Sequence, residues 1–186
     1  WHAKDSRITF THRAHTLWIF RKKYYRSLQN RIMFKIIFYD FDGVMTDNKV
    51  YLDQKGNEMV RLSRADGLGV NKIKSLGVLQ IIISSEKNPV VSMRAKKLGL
   101  QVFQSVSKKA SLLKDICSQN NVPLSDVAFV GNDINDKEAM EISGYKFCPA
   151  DSHQIIKKLS DHIFLSKGGN GVIRELYDFL KTKKKG

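Results

Sequence analysis

The 186-residue sequence predicts an α/β fold: a Rossmann-like parallel sheet with helices on both faces and a small β-hairpin flap. Three observations predict it. Near-continuous apolar runs of strand length occur at residues 34–39 (FKIIFY) and 78–83 (VLQIII), as expected of strands buried on both faces. Between such runs lie segments with apolar residues at helical spacing, two of them closed by glycine. The two kinds of segment alternate along the chain, and right-handed crossovers then place parallel strands in one sheet with helices on each side.

Residues 34–39 form the first strand. Residues 50–52 and 59–62 flank Asp53-Gln54-Lys55-Gly56-Asn57, a turn sequence that predicts a hairpin. Residues 68–76 have helical spacing and stop at Gly77; residues 78–83 are the next buried strand. Asn88-Pro89 supplies an N-cap and a proline at the first helical position, and the helix over 90–98 runs to Gly99. Strands follow at 101–103, 126–130, 145–148 and 162–165, and helices at 109–118, 136–143, 152–159 and 172–181.

Composition divides the chain into a basic N-terminal extension (1–32), a domain (33–180) and a basic tail (181–186), with Met33 a candidate natural start. The net charge of +14 splits as +7, +3 and +4 over these segments. So large an excess ordinarily suggests a polyanion partner, but here it belongs to the ends. The run Trp18-Ile-Phe-Arg-Lys-Lys-Tyr-Tyr-Arg26 offers an amphipathic helix or a stacking platform, and a nucleic-acid role through it is the weaker reading beside frayed or translated upstream sequence. Cys117 and Cys148 make no disulfide framework and have no zinc-site spacing, and no apolar run approaches a membrane span. The expectation is a cytoplasmic protein with no membrane partner.

Ligands of an open parallel sheet bind outside the carboxyl ends of its strands. Four such ends carry chemistry: Asp40-Phe-Asp42-Gly, Ser84-Ser85-Glu86, a loop ending in Lys108-Lys109, and Gly131-Asn132-Asp133-Ile-Asn-Asp136. Clustered carboxylates call for a hard cation, and Mg²⁺ takes oxygen ligands while sharing its shell with phosphate. A carboxylate can attack phosphorus once the phosphoryl charge is neutralised by cations and hydroxyl donors. Asp42, two residues on, is placed to exchange a proton with the leaving oxygen and with water. Alone, Asp40-Phe-Asp42-Gly reads equally as a turn, Ser84-Ser85 more readily as loop and helix cap, Gly131 to Asp136 as caps, and Lys108-Lys109 as a solvated helix start, although cations there oppose the helix dipole; the four together, in this order, point to phosphoryl transfer through an aspartyl-phosphate.

With these motifs, residues 33–180 resemble the haloacid dehalogenase superfamily of phosphatases. The resemblance implies Asp40 as nucleophile, Asp42 as acid/base, Ser84 and Lys109 as phosphate holders, and Mg²⁺ on Asp40 and the Asp42 carbonyl. Asn132 stands where the relatives commonly carry a metal-binding Asp, which leaves Asn132, Asp133 and Asp136 to complete the metal shell. The intervals Asp40 to Ser84 and Ser84 to Lys109 are too short for a cap domain. A capless site must borrow its lid, and capless members resembling this chain are homotetramers whose hairpins meet at an axis.

Within the superfamily the chain looks like the 3-deoxy-octulosonate 8-phosphate phosphatases and the sialic-acid-type nonulosonate 9-phosphate phosphatases of surface-glycan synthesis. Glu86, where the octulosonate branch typically has Arg, with Lys97 eleven residues on, favours the nonulosonate branch, although Glu86 as an exposed helix-start residue weighs equally. Ser63, Asp66, Gly67 and Arg94 correspond to substrate-pocket positions. Arg174 is a further anion contact or a surface ion pair. The Ser-Glu pattern is also similar to the phosphatase-like domain of acylneuraminate cytidylyltransferases, so a weakly active assembly module with such an enzyme as partner is the second reading.

Overall fold

In the computed structural model, which describes residues 34–183, the first apolar run forms β1 (Ile36–Tyr39), buried throughout. Neighbouring side chains of a strand point to opposite faces. Ile37 and Tyr39 accordingly enter one apolar cluster, and Ile36 and Phe38 a second. Both faces of the sheet are therefore covered, as the unbroken apolar run requires. The extension 1–32 with its aromatic and basic run, Met33, and the tail end 184–186 lie outside the described residues.

The hairpin strands are β2 (Tyr51–Leu52) and β3 (Glu58–Met59). They are followed by α1 (Arg64–Lys74), β4 (Leu79–Ile83), α2 (Pro89–Leu98), β5 (Gln101–Phe103) and α3 (Lys109–Gln119). The chain then runs through β6 (Val127–Val130), α4 (Lys137–Ile142), β7 (Tyr145–Cys148), α5 (Gln154–Leu159), β8 (His162–Ile163) and α6 (Val172–Lys183). Six strands make one sheet in the order β5-β4-β1-β6-β7-β8, each neighbouring pair parallel. The winding direction reverses between β1 and β6, and a sheet of this kind opens a crevice there. Residues of α1, α2 and α6 pack with one apolar cluster and residues of α3, α4 and α5 with the other. Among the described residues no helix is long and apolar enough to cross a membrane.

Two departures from the predicted elements have physical reasons. Helix α1 starts four residues before the apolar periodicity does, because the Ser63 hydroxyl accepts from the Ala65 N–H at 3.1 Å and caps it. The hairpin strands shrink to two residues each, with Val50, Tyr51, Leu52 and Met59 all more than half exposed. Its turn is instead held by Asp53, which accepts from the Lys55 and Asn57 backbone N–H groups at 2.8 Å. The predicted Asn88 cap is present, accepting from the Val90 N–H at 3.0 Å, as is the left-handed Gly99.

Helices α1 and α6 meet through Gly69, where an added Cβ would lie 2.6 Å from the Ile173 carbonyl oxygen. Backbone cannot yield as a side chain does. Gly→Ala inside an exposed helix ordinarily stabilises by about 1 kcal/mol. Gly69→Ala is expected to reverse that sign and lower the melting temperature in a thermal denaturation scan.

Candidate active site

Asp40 directly follows β1, and its N–H donates to the Val130 carbonyl of β6 at 2.9 Å, which fixes it at the point where the winding reverses. One carboxylate oxygen, Oδ1, accepts from the Phe41 N–H at 2.8 Å and from Lys109 Nζ at 2.7 Å. Lys109 opens α3, where the helix dipole disfavours a cation. Two carboxylates compensate, for the ammonium reaches Asp136 Oδ1 at 2.7 Å as well. Asp136 Oδ2 in turn accepts from the Asn132 N–H at 2.9 Å and so holds the loop after β6.

Two buried carboxylates sharing one ammonium form an unequal set. Burial, and then the Asp136 charge, push the Asp40 carboxyl well up, while Lys109 and the Phe41 N–H pull it down. Burial pulls Lys109 down, but Asp40 and Asp136 together hold it above its ordinary value. The ammonium stays charged between them. Half-buried Asp42 accepts from the Thr46 hydroxyl at 3.0 Å. Burial raises its pKa against that hydrogen bond, and the charges of Glu86 and Glu58 raise it further. A carboxyl pKa raised toward neutrality suits a group that exchanges protons with a leaving oxygen and with water.

The Asn132 carboxamide presents one terminal atom 3.1 Å from Asp40 Oδ2 and 2.9 Å from the Asp42 carbonyl oxygen. As nitrogen, that atom donates to both. As oxygen, it completes a triangle of three oxygens, a donor set that matches a hard cation such as Mg²⁺. The residues present therefore fit a divalent metal, with Asp40, the Asp42 carbonyl and Asn132 as ligands. Among the described residues no group of three or more His, Cys, Asp and Glu side chains is arranged to hold a metal, so a mixed oxygen set is what this site offers.

Asp40, Asp42, Ser84, Glu86, Asn132 and Asp133 line one open cleft of about 250 Å³, together with Asn48, Ser85 and Asn135. Ser84 is buried, its hydroxyl accepting from the Glu86 N–H at 3.1 Å. Asp133 caps the short helical turn after it, accepting from the Ile134 N–H at 2.7 Å. Asp42, Asn48 and Glu86 also border an adjoining pocket of about 170 Å³, reached as well by Glu58 of β3.

The remaining sequence-predicted positions do not line the cleft of this chain. Ser63 caps α1, and its carbonyl accepts from Arg94 at 2.7 Å. Asp66 is buried and accepts from the Ile173 N–H at 2.8 Å, tying α1 to α6. Gly67 faces Leu98 of α2. Lys97 is exposed and shares a separate groove with Arg64, Met93 and Arg94. Arg174 forms an exposed ion pair with Asp178 at 3.4 Å. Glu58 and Thr46 escaped the sequence reading; the one signal for Thr46 is its spacing four residues after Asp42.

A family model described as haloacid dehalogenase-like hydrolase matches residues 12–176. The chain belongs to this family. As a haloacid dehalogenase-like hydrolase it is a phosphoric monoester hydrolase, in keeping with its relatives. It is 28% identical over 147 residues to the 3-deoxy-D-manno-octulosonate 8-phosphate phosphatase of Haemophilus influenzae, covering 78% of this chain and 82% of that one. The Escherichia coli K12 protein of the same name is 29% identical, with 78% of each chain covered. Among solved structures, a HAD-family hydrolase from Streptomyces avermitilis is 33% identical, with a TM-score of 0.78 over 80% of this chain and 85% of that one. The Moraxella catarrhalis 3-deoxy-D-manno-octulosonate 8-phosphate phosphatase, in complex with magnesium, phosphate and the sugar acid, is 26% identical, with a TM-score of 0.79 over 85% and 91%.

Proposed function

We propose that this haloacid dehalogenase-like hydrolase is a Mg²⁺-dependent phosphatase of sugar-acid phosphates, acting through an aspartyl-phosphate on Asp40. A nonulosonate 9-phosphate is favoured over an octulosonate 8-phosphate. The observation that carries the reading is the convergence on one cleft of Asp40, Asp42, Ser84 and Asn132, with Lys109 at 2.7 Å from Asp40. Asp40 attacks phosphorus as the bond from phosphorus to the sugar oxygen breaks. Asp42 gives its proton to that oxygen, then takes one from water; the water oxygen attacks phosphorus, the bond to Asp40 breaks, and phosphate leaves. Ser84 and Lys109 hold phosphoryl oxygens. Bound at Asp40, the Asp42 carbonyl and Asn132, a divalent cation supplies neutralisation of the phosphoryl charge.

The cleft is large enough for the phosphoryl group, and the sugar extends into the adjoining pocket, where Glu58 and Glu86 lie beside Asp42. Carboxylates there accept from hydroxyl and amide N–H groups and repel an acid. A nine-carbon acid carries its carboxylate one carbon further from the phosphate, which is the reason for favouring it. The exposed apolar side chains of the hairpin, Val50, Tyr51, Leu52 and Met59, support assembly through it into the expected tetramer.

A second reading, an assembly module for an acylneuraminate cytidylyltransferase, is favoured by the uncharged Asn132 and opposed by the complete acid, hydroxyl and ammonium set. Assay of neuraminate 9-phosphate and octulosonate 8-phosphate with Mg²⁺ separates these readings. The expected result is a kcat/KM advantage of about tenfold or more for the nine-carbon substrate, reduced in Glu86→Arg. A preference for octulosonate 8-phosphate would refute the role given to Glu86, and no release from either would favour the assembly module.

A further inference from the structure

Asn132 is buried and fixed by its backbone, whose N–H donates to Asp136 and whose carbonyl accepts from the His153 N–H, each at 2.9 Å. Its carboxamide lies against Gly43, which holds φ +83° and is so close that a Cβ there would overlap the amide. Turning the carboxamide over exchanges its nitrogen and oxygen while leaving these contacts in place. Nitrogen inward, it donates at 3.1 Å to Asp40 Oδ2 and at 2.9 Å to the Asp42 carbonyl. Oxygen inward, it faces only acceptors and its nitrogen faces only donors, so a cation among the three oxygens is needed to offset the mismatch.

We propose that the Asn132 carboxamide is a two-position latch on the metal site. Nitrogen inward, it closes the metal-free site by bridging the Asp40 carboxylate and the Asp42 carbonyl; oxygen inward, it serves as a ligand. The proposal rests on the metal-dependent reading above, since the second position exists only with a cation. An aspartate at this place could not donate, and it would add a third carboxylate around the single Lys109 ammonium. Asn132 thus lowers metal affinity and lets the site stand complete without metal. Selectivity follows from the same rotation: only an ion able to offset two broken hydrogen bonds turns the latch.

The test combines side-chain amide NMR of the parent protein with melting curves of the parent and Asn132→Asp, each in EDTA and in a Mg²⁺ titration. In EDTA the Asn132 NH₂ resonances should be protected from exchange; Mg²⁺ should shift them and remove the protection. Asn132→Asp should melt several degrees below the parent in EDTA, or fold only with Mg²⁺, and should bind Mg²⁺ about tenfold or more tightly by the titrated shift. Mg²⁺ that raises the melting temperature and leaves the Asn132 NH₂ protected would overturn the latch alone. Equal or greater stability of Asn132→Asp in EDTA would also overturn it. No Mg²⁺-dependent shift in either protein would overturn the metal-dependent reading and the latch together.

Discussion

Asp40→Asn should reduce phosphate release to roughly 10⁻⁴ of the parent rate or less, as removal of a nucleophile does elsewhere, with the fold intact. A carboxamide of the same shape cannot form the acyl phosphate, so the first step has no attacking group. Stability should move the other way. Asp40 and Asp136 both lie 2.7 Å from Lys109 Nζ, and the substitution removes one of two buried carboxylates that compete for one ammonium. The Lys109–Asp136 pair remains, and the Phe41 N–H keeps an oxygen acceptor. Turnover assays and melting curves on the same preparations check both halves. More than a few per cent of parent turnover would contradict the role of Asp40, and a large loss of melting temperature would mean that the carboxylate is structural.

Lys109→Met should have the largest effect on stability. The methionine fills the channel of the lysine stem but leaves Asp40 and Asp136 buried side by side with no cation. Breaking a buried ion pair by removing one partner costs about 3–5 kcal/mol, which for a chain of this length lowers the melting temperature by on the order of 10 °C. The penalty should depend on pH. With Lys109 gone, the main influence opposing burial at Asp40 is lost, and its already raised pKa rises further. A carboxyl whose pKa is higher folded than unfolded takes up its proton more readily in the folded state. The Asp40 carboxyl of the parent is already raised to about 8, so this part of the loss grows as pH rises through that value toward the higher pKa of the variant, and is absent below it. Adding Asp136→Asn should recover much of the stability, with a coupling that a double-mutant cycle resolves. A loss below about 1 kcal/mol at a pH above about 8, where Asp40 is charged, would contradict the buried three-charge arrangement.

Much of this architecture was legible because each signal was local. The all-apolar runs at β1 and β4, the Asn88-Pro89 cap and Gly99 depend only on neighbouring residues and on backbone geometry. The strand-end position of Asp40, Ser84 and Asn132 followed from the alternation of strands and helices, and the cleft collects all three. The inward turn of Lys109 was hinted at by a cation at a helix start, whereas its second partner, Asp136, depends on how the loop after β6 folds back. Glu58 was not legible, because its approach to Asp42 and Glu86 is set by the angle at which the hairpin leaves the body. Ser63, Asp66, Gly67, Arg94 and Lys97 rested on resemblance rather than on any local signal. Within one chain, Ser63 caps a helix, Asp66 and Gly67 join packed helices, and Arg94 and Lys97 line a separate groove. None of the five lines the cleft of the single chain.

The central claim is that Asp40 becomes covalently phosphorylated. It is tested most directly by mixing enzyme, Mg²⁺ and a nonulosonate 9-phosphate, quenching in acid within a single turnover, and locating the phosphoryl group by peptide mass mapping. The expected result is a phosphoryl increment on Asp40 that decays as free phosphate appears. Turnover in the same samples with the phosphoryl group on another side chain, or on none, would contradict it.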